Sequence, residues 1–383
     1  MEKFPRGIAI AGVGDVDYET LYRTTKSLSA PRDPYALAAE AFKNALDDCG
    51  LKKEDIDGVI CVRDVTKYDY FCYRVGISKP MLVNGLNSQG RQSGLAVQYA
   101  AMAIASGQVN TVAVVYSNVG KSNKYNYGSD GNSSDPYGLI HGMTSPGAQH
   151  ATMFNRYRFQ YGATEEHLYK IAEAQRYHAS LNSHAVFKTP LTREEYMAAR
   201  YITEPLRLYD YCMISDGAVC MILTTVERAR DLKKPVVRML GTSTCGDMAN
   251  SYMKQDFFYK AITNMTEQLY GEAGVTAKDC DVIEIYDNFT PTVMYTIEGI
   301  GLADIGGAGD YIDHEGLKLG QAKKPINTHG GHTSEAYMQG WNHHVECVRQ
   351  VRGECGERQV PDCRLAMYTC TAPIVTGHIF AKM

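Results

Sequence analysis

The sequence predicts an α/β protein made of two pseudo-symmetric copies of one α/β unit. Short apolar runs alternate with helical patterns, and a local block recurs at a fixed distance. The composition is that of a folded chain: of 383 residues, 44% are hydrophobic and 21% charged, far from the range of disordered sequences. The length suits two to three domain-sized units or one large fused core.

The segment Gly7 to Gly14 is apolar and closed by glycines, as for a strand buried on both faces. Its Gly12-Val13-Gly14 lacks the third glycine and distal acid of a dinucleotide fingerprint, so it reads as a turn and no redox cofactor is expected. Residues 33–49 place Leu37, Ala38, Ala41, Phe42, Ala45 and Leu46 on one helical face, with Gly50 as the stop. A strand follows at 57–62, then a helix from Ser93 to Gly107 and a strand at Val112 to Val115. Between Gly120 and Gly142 the sequence turns polar over a length that marks a functional loop. Residues 153–200 read as mainly helical and 216–223 as a buried strand. The divisions are 1–119, the first part of the N-terminal half; 120–205, an inserted loop and helical region; 206–240, its return strand region; and 241–383, the C-terminal half.

The repeat matches Gly50-Leu51-Lys52-Lys53-Glu54-Asp55-Ile56-Asp57-Gly58-Val59-Ile60 to Gly274-Val275-Thr276-Ala277-Lys278-Asp279-Cys280-Asp281-Val282-Ile283-Glu284, at a constant offset of 224 residues. Each copy follows an amphipathic helix and enters a strand. The helix beginning Ser93-Gly94 has its counterpart in one beginning Ser334-Glu335, and chemistry is expected where such helix N-termini converge. The net charge of −4 argues against nucleic acid as a partner. No window approaches the roughly 18 apolar residues of a membrane span, and the N-terminus lacks a signal pattern, so a cytoplasmic location is expected. Eleven cysteines, odd in number and set in apolar runs, read as reduced core thiols.

Three blocks carry the chemistry: Ser88-Gln89-Gly90-Arg91-Gln92-Ser93-Gly94-Leu95, Tyr286-Asp287-Asn288-Phe289, and Asn327-Thr328-His329-Gly330-Gly331 ahead of Ala336-Tyr337. With Asp216-Gly217-Ala218 they resemble the thiolase superfamily, which implies βαβαβ halves forming a five-layered α-β-α-β-α core. That family sets a nucleophilic cysteine at a helix N-terminus; Arg91 stands there in this chain and is no nucleophile. Tyr286 and Tyr337 occupy two of the family's polar catalytic places, and Cys370 the place of its acid/base cysteine, although Cys370-Thr371-Ala372-Pro373 lacks the usual glycine. The blocks resemble in particular the steroid side-chain aldolases and the thiolase-like subunit of benzoylsuccinyl-CoA thiolase. Both cleave carbon–carbon bonds beside a CoA thioester, and both work with a small OB-fold, zinc-ribbon partner.

The resemblance implies Tyr286, Tyr337, Cys370, His332 and Tyr252 as catalytic, with Arg91, Ser93, Asn288, Gly330 and Gly331 at substrate or CoA. Phenols suit the chemistry, because Tyr O–H donates to a carbonyl oxygen and, with a depressed pKa, accepts a proton. The principal expectation is thiolysis of a bulky 3-oxoacyl-CoA, such as an aromatic one, by a homodimeric core within a hetero-oligomer such as a heterotetramer. The alternatives are a retro-aldol lyase on a 3-hydroxyacyl-CoA and a non-catalytic acyl-CoA- or lipid-binding scaffold. CoA enters as substrate, and zinc is expected only in the partner. Asp287 reads first as the cap of the following helix and second as an orienter of a neighbour. His329 and His332 read as proton relays or as backbone partners, and Cys370 as a buried or an acid/base thiol. His343 and Cys347 share a helical face, but with Cys355 and Cys363 they lack zinc-site spacing. The dimer is expected at a sheet edge near Val112 to Val115. Lys121, Lys124 and Arg156 are too dispersed to form a phosphate site, which leaves those contacts to the partner.

Overall fold

A computed structural model describes residues 6–87, 92–125, 139–143, 145–247 and 253–383. Its strands are β1 (Ile8–Asp15), β2 (Gly58–Arg63), β3 (Leu82–Leu86), β4 (Thr111–Val119), β5 (Tyr201–Thr203), β6 (Leu206–Arg207), β7 (Asp216–Thr225), β8 (Val237–Gly246), β9 (Val282–Ile285), β10 (Leu365–Cys370) and β11 (Ile374–Lys382). Nine of them form one mixed sheet in the order β3-β2-β4-β7-β1-β8-β11-β10-β9, while β5 and β6 pair separately. The sheet is symmetric about the join of β1 and β8, which pair only over Ile8–Ile10. Outward from that join each half has two antiparallel pairings and then a parallel one, β4 with β2 and β10 with β9.

Helices divide by the faces they bury. Helix α2 (Pro34–Cys49), which follows α1 (Tyr18–Thr24), packs on β1, β7 and β4. The helix Tyr259–Ala273 packs on β8 and β11 in the same way. Helix α4 (Gln92–Ala105), preceded by α3 (Tyr68–Val75), and the helix Trp341–Arg352 each touch strands of both halves. The layering is therefore helix, half-sheet, paired central helices, half-sheet, helix, as the fold expectation required.

Local hydrogen bonds repeat with the sequence. Gly50 and Gly274 end their helices in the left-handed region, at φ 78° and 71°. Lys52 N–H donates to Asp55 Oδ2 and Thr276 N–H to Asp279 Oδ2, both at 2.8 Å. Asp57 accepts from the N–H groups of Asn110 and Thr111, and Asp281 from those of Arg364 and Leu365. In each half a carboxylate at the mouth of one strand thus pins the start of the next.

Three expectations need correction. Gly12 and Gly14 lie within β1, where a Cβ would come 2.4 Å from Ala45 O and 2.3 Å from Ala41 O, so these glycines admit α2 rather than make a turn. The Val112 to Val115 strand lies between β2 and β7, so it is no edge; the edge on that side is β3. The second central helix begins at Trp341, not Ser334, because Gly331–Ser334 is a separate short turn of helix. The inserted region supplies helices Pro146–Tyr161, Glu165–Ser180 and Arg193–Ala198, and much of the polar loop, 126–138, lies outside the described residues. None of the eleven cysteines is in a disulfide. No described helix is long and apolar enough to cross a membrane.

Candidate active site

Tyr286 extends β9, with its N–H donating to Thr369 O at 2.9 Å. Tyr337 lies between the turn Gly331–Ser334 and the helix Trp341–Arg352, its N–H held by Ser215 Oγ at 3.1 Å. The two hydroxyls meet at 2.9 Å. Tyr286 is 3% exposed and Tyr337 8%, so Tyr337 is the phenol nearer solvent. Beside them Ser93, in the first turn of α4, hydrogen-bonds Tyr368 at 2.9 Å, and the Cys370 thiol borders Tyr368 and Tyr286. Gly340, at φ 88°, immediately precedes the second central helix; a Cβ there would sit 2.4 Å from Tyr368 Oη and 2.7 Å from Ser93 Oγ. Both central helices therefore aim their positive N-terminal ends at one phenol-lined cluster.

Burial pushes the Tyr286 phenol well above its usual range, and Tyr337 and Cys370 beside it add to the shift. The depressed phenol allowed for from the sequence is thus not found at Tyr286, which is a proton donor. Burial likewise raises Tyr368.

Asp287 does not cap the helix Thr290–Gly299. Its carboxylate accepts from His332 N–H and from His343 Nε2, and faces His332 Nδ1 at 3.1 Å. Burial alone would raise Asp287, but the two imidazoles hold it well below the carboxylate range. The N-cap position is Phe289, with no side-chain cap, and Asn288 Oδ1 accepts from Phe289 N–H and the Thr292 hydroxyl just ahead of that helix. His332 Nε2 accepts the Gly340 N–H at 3.0 Å, which places its ring proton on Nδ1, toward Asp287. That bond engages the Nε2 lone pair and lets His332 position the Gly340 turn. Deeper still, His329 Nδ1 lies 2.7 Å from Glu284. Two buried groups, Glu284–His329–His343 and Asp287–His332–His343, have metal-ligand chemistry, but their contacts pair imidazole with carboxylate. The His343–Cys347–Cys355–Cys363 set forms no such group among the described residues.

Arg91 and Tyr252 lie outside the described residues. Gly330 and Gly331 have positive φ, and a Cβ on either would strike Ala179 or Asp287, so packing accounts for both glycines. Sequence reasoning missed Tyr368 and Glu284. The signal for Glu284 was present: a lone carboxylate in the apolar run Val282-Ile283-Glu284-Ile285.

A duplicated five-layer core with a polar cluster where its central helices begin defines a thiolase-like fold. Residues 244–381 match the family model described as Thiolase C-terminal domain-like. The "Steroid side-chain-cleaving aldolase" of Thermomonospora curvata is 33% identical over 372 residues, covering 92% of each chain. The "17-hydroxy-3-oxo-4-pregnene-20-carboxyl-CoA lyase" of Mycobacterium tuberculosis is 34% identical over 364 residues, 90% of this chain and 91% of that one. A solved structure entitled "Ltp2-ChsH2(DUF35) aldolase" superposes with a TM-score of 0.89 at 29% identity, over 100% of this chain and 99% of that one. The chain belongs to the thiolase superfamily, in the divergent branch that contains the steroid side-chain aldolases, and is an enzyme of the acyltransferase or carbon–carbon lyase kind.

Proposed function

We propose that the chain is a retro-aldol lyase that cleaves a bulky 3-hydroxyacyl-CoA into a carbonyl compound and a shortened acyl-CoA. The observation that carries this reading is the buried Tyr286–Tyr337 phenol pair, 2.9 Å apart. Thiolysis, which the sequence put first, needs an activated thiol. Arg91 stands in the nucleophile's place, and Cys370 is wholly buried against phenols. The aldolase and lyase names of the relatives favour the same choice.

The steps balance without a nucleophile or a second substrate. Tyr337, as phenolate, takes the proton of the C3 hydroxyl, while Tyr286, kept protonated by burial, donates to the Tyr337 oxygen. The C3–O electron pair forms the carbonyl, the C2–C3 bond breaks, and its electrons pass to the thioester as an enolate. The carbonyl product leaves, and C2 takes the proton back from Tyr337. The positive ends of the two central helices favour the transient negative charge.

A small OB-fold, zinc-ribbon subunit completes the working enzyme in this reading, supported by the two-part title of the superposed aldolase. Any zinc would travel with that subunit. Tyr337→Phe keeps the ring and removes the hydroxyl. It is expected to lower kcat about tenfold to a hundredfold, the size of a lost acid/base contact, in a variant that melts like the parent. Unchanged turnover would remove Tyr337, and with it this mechanism.

A further inference from the structure

Tyr337 stands in no helix or strand, since one turn of helix ends at Ser334 and the next helix begins at Trp341. No repeating ladder fixes its backbone, and a small rotation there is magnified at the phenol oxygen, the far end of the side chain. What holds it comes from a distant stretch of chain. Residues 211–215, just ahead of β7, run past the site and meet its parts in turn. Tyr211 forms an antiparallel bridge with Phe289, Cys212 N–H donates to Asn288 O at 3.0 Å, and Met213 N–H donates to His332 O at 3.1 Å. Ser215 ends the series, its Oγ accepting the Tyr337 N–H at 3.1 Å. Five residues thus splint the block after Tyr286, the histidine turn and Tyr337 to one another.

The splint is itself braced. Asn118, near the end of β4, donates from Nδ2 to Ser215 O at 3.0 Å. Asp216 Oδ1 accepts the N–H groups of Lys121 and Ser122, both at 2.9 Å, and the Arg32 guanidinium lies 3.4 Å from its other oxygen. Ser117 Oγ donates to Gly217 O at 3.3 Å. Ser215 and Asp216 are both buried, so water does not compete for these bonds.

The block Ser215-Asp216-Gly217 is accounted for by this geometry. A buried backbone N–H needs a partner, and serine supplies one to Tyr337 where alanine could not. The acid locks the block to the chain after β4. Gly217 makes room: a Cβ there would come 2.6 Å from Met338 Sδ and 2.9 Å from the Tyr18 ring, so the residue after Tyr337 fills the space the glycine leaves. Two adjacent residues, Tyr337 and Met338, are therefore seated on two positions of one block.

We propose that Ser215 is a positioning residue for Tyr337, and that the 211–215 segment sets the approach of Tyr337 to Tyr286. The inference rests on the reading that Tyr337 is the base of a retro-aldol cleavage. Its test is a double-variant comparison of steady-state kinetics, with the chain and its partner subunit supplied with a 3-hydroxyacyl-CoA that carries an aromatic side chain. Ser215→Ala should lower kcat about fivefold to twentyfold, a loss that a sub-ångström misplacement suffices to cause, and leave KM within about twofold. In the Tyr337→Phe background the same change should do nothing further, because it acts through the hydroxyl already removed. A general weakening of the fold would multiply the two losses instead. Ser215→Cys keeps the shape and offers a weaker acceptor, so its kcat should fall between those of the parent and Ser215→Ala, and it carries the comparison if Ser215→Ala does not fold. Parental kcat on loss of the hydroxyl, or losses that multiply in the double variant, would overturn the positioning role and leave Tyr337 as the base. A parent enzyme without turnover, or Tyr337→Phe at parental kcat, would overturn the lyase reading as well.

Discussion

Tyr286 and Tyr337 share a buried hydrogen bond although 51 residues separate them, and the groups beneath them decide how firmly they are held. Asp287 anchors two imidazoles, so Asp287→Asn leaves both facing a neutral amide. Loss of hydrogen bonds to a buried carboxylate costs about 1.5–3 kcal/mol, which thermal melting at neutral pH should register. Burial pulls the His329 imidazole down, but Glu284 and Glu335 outweigh it and hold it up at about 9. A pKa raised in the folded state adds stability below the unfolded value of about 6.5, and loses it as pH climbs through the folded one. His329→Gln should therefore lower Tm more at pH 6 than at pH 10; an equal deficit at both would contradict the pairing. The two tyrosines were legible because their local blocks carry a family pattern. The role of Asp287 was not, since capping is a short-range reading and its partners His332 and His343 arrive from distant chain.

The elements repeat because the same few residues set the same geometry twice. Gly50 with Gly274, and Asp57 with Asp281, made the duplication visible in the sequence. Glycine is ambiguous in isolation, however: in β1 it allows a helix to approach, and a strand-packing glycine looks like a turn glycine when only chain order is read. The distinction can be measured. Gly14→Ala sets a Cβ against the backbone of α2, which cannot give locally, and should cost about 1–3 kcal/mol. Gly271, inside the helix Tyr259–Ala273, has nothing within 4 Å of its added Cβ, and Gly271→Ala should gain about 0.5–1 kcal/mol. Denaturant titration of the two variants should move in opposite directions.

Across the molecule, β3 is an edge strand of the nine-stranded sheet among the described residues, and exposed apolar side chains lie on and beside it: Val83 at 38%, Met81 at 71% and Tyr73 at 82%. An open edge of this kind invites a second copy, so we expect a symmetric dimer through β3. Light scattering should give twice the chain mass, and Val83→Lys should reduce it; a parent monomer at micromolar concentration would refute this. Phenols in place of a thiol nucleophile, in a duplicated core, predict bond cleavage that consumes no free CoA. The most direct measurement is a mass-spectrometric product balance for the chain and its partner subunit, supplied with a bulky 3-hydroxyacyl-CoA and no added CoA. One equivalent each of carbonyl compound and shortened acyl-CoA per substrate consumed is the predicted result; cleavage that begins only with a 3-oxoacyl-CoA and free CoA would contradict it.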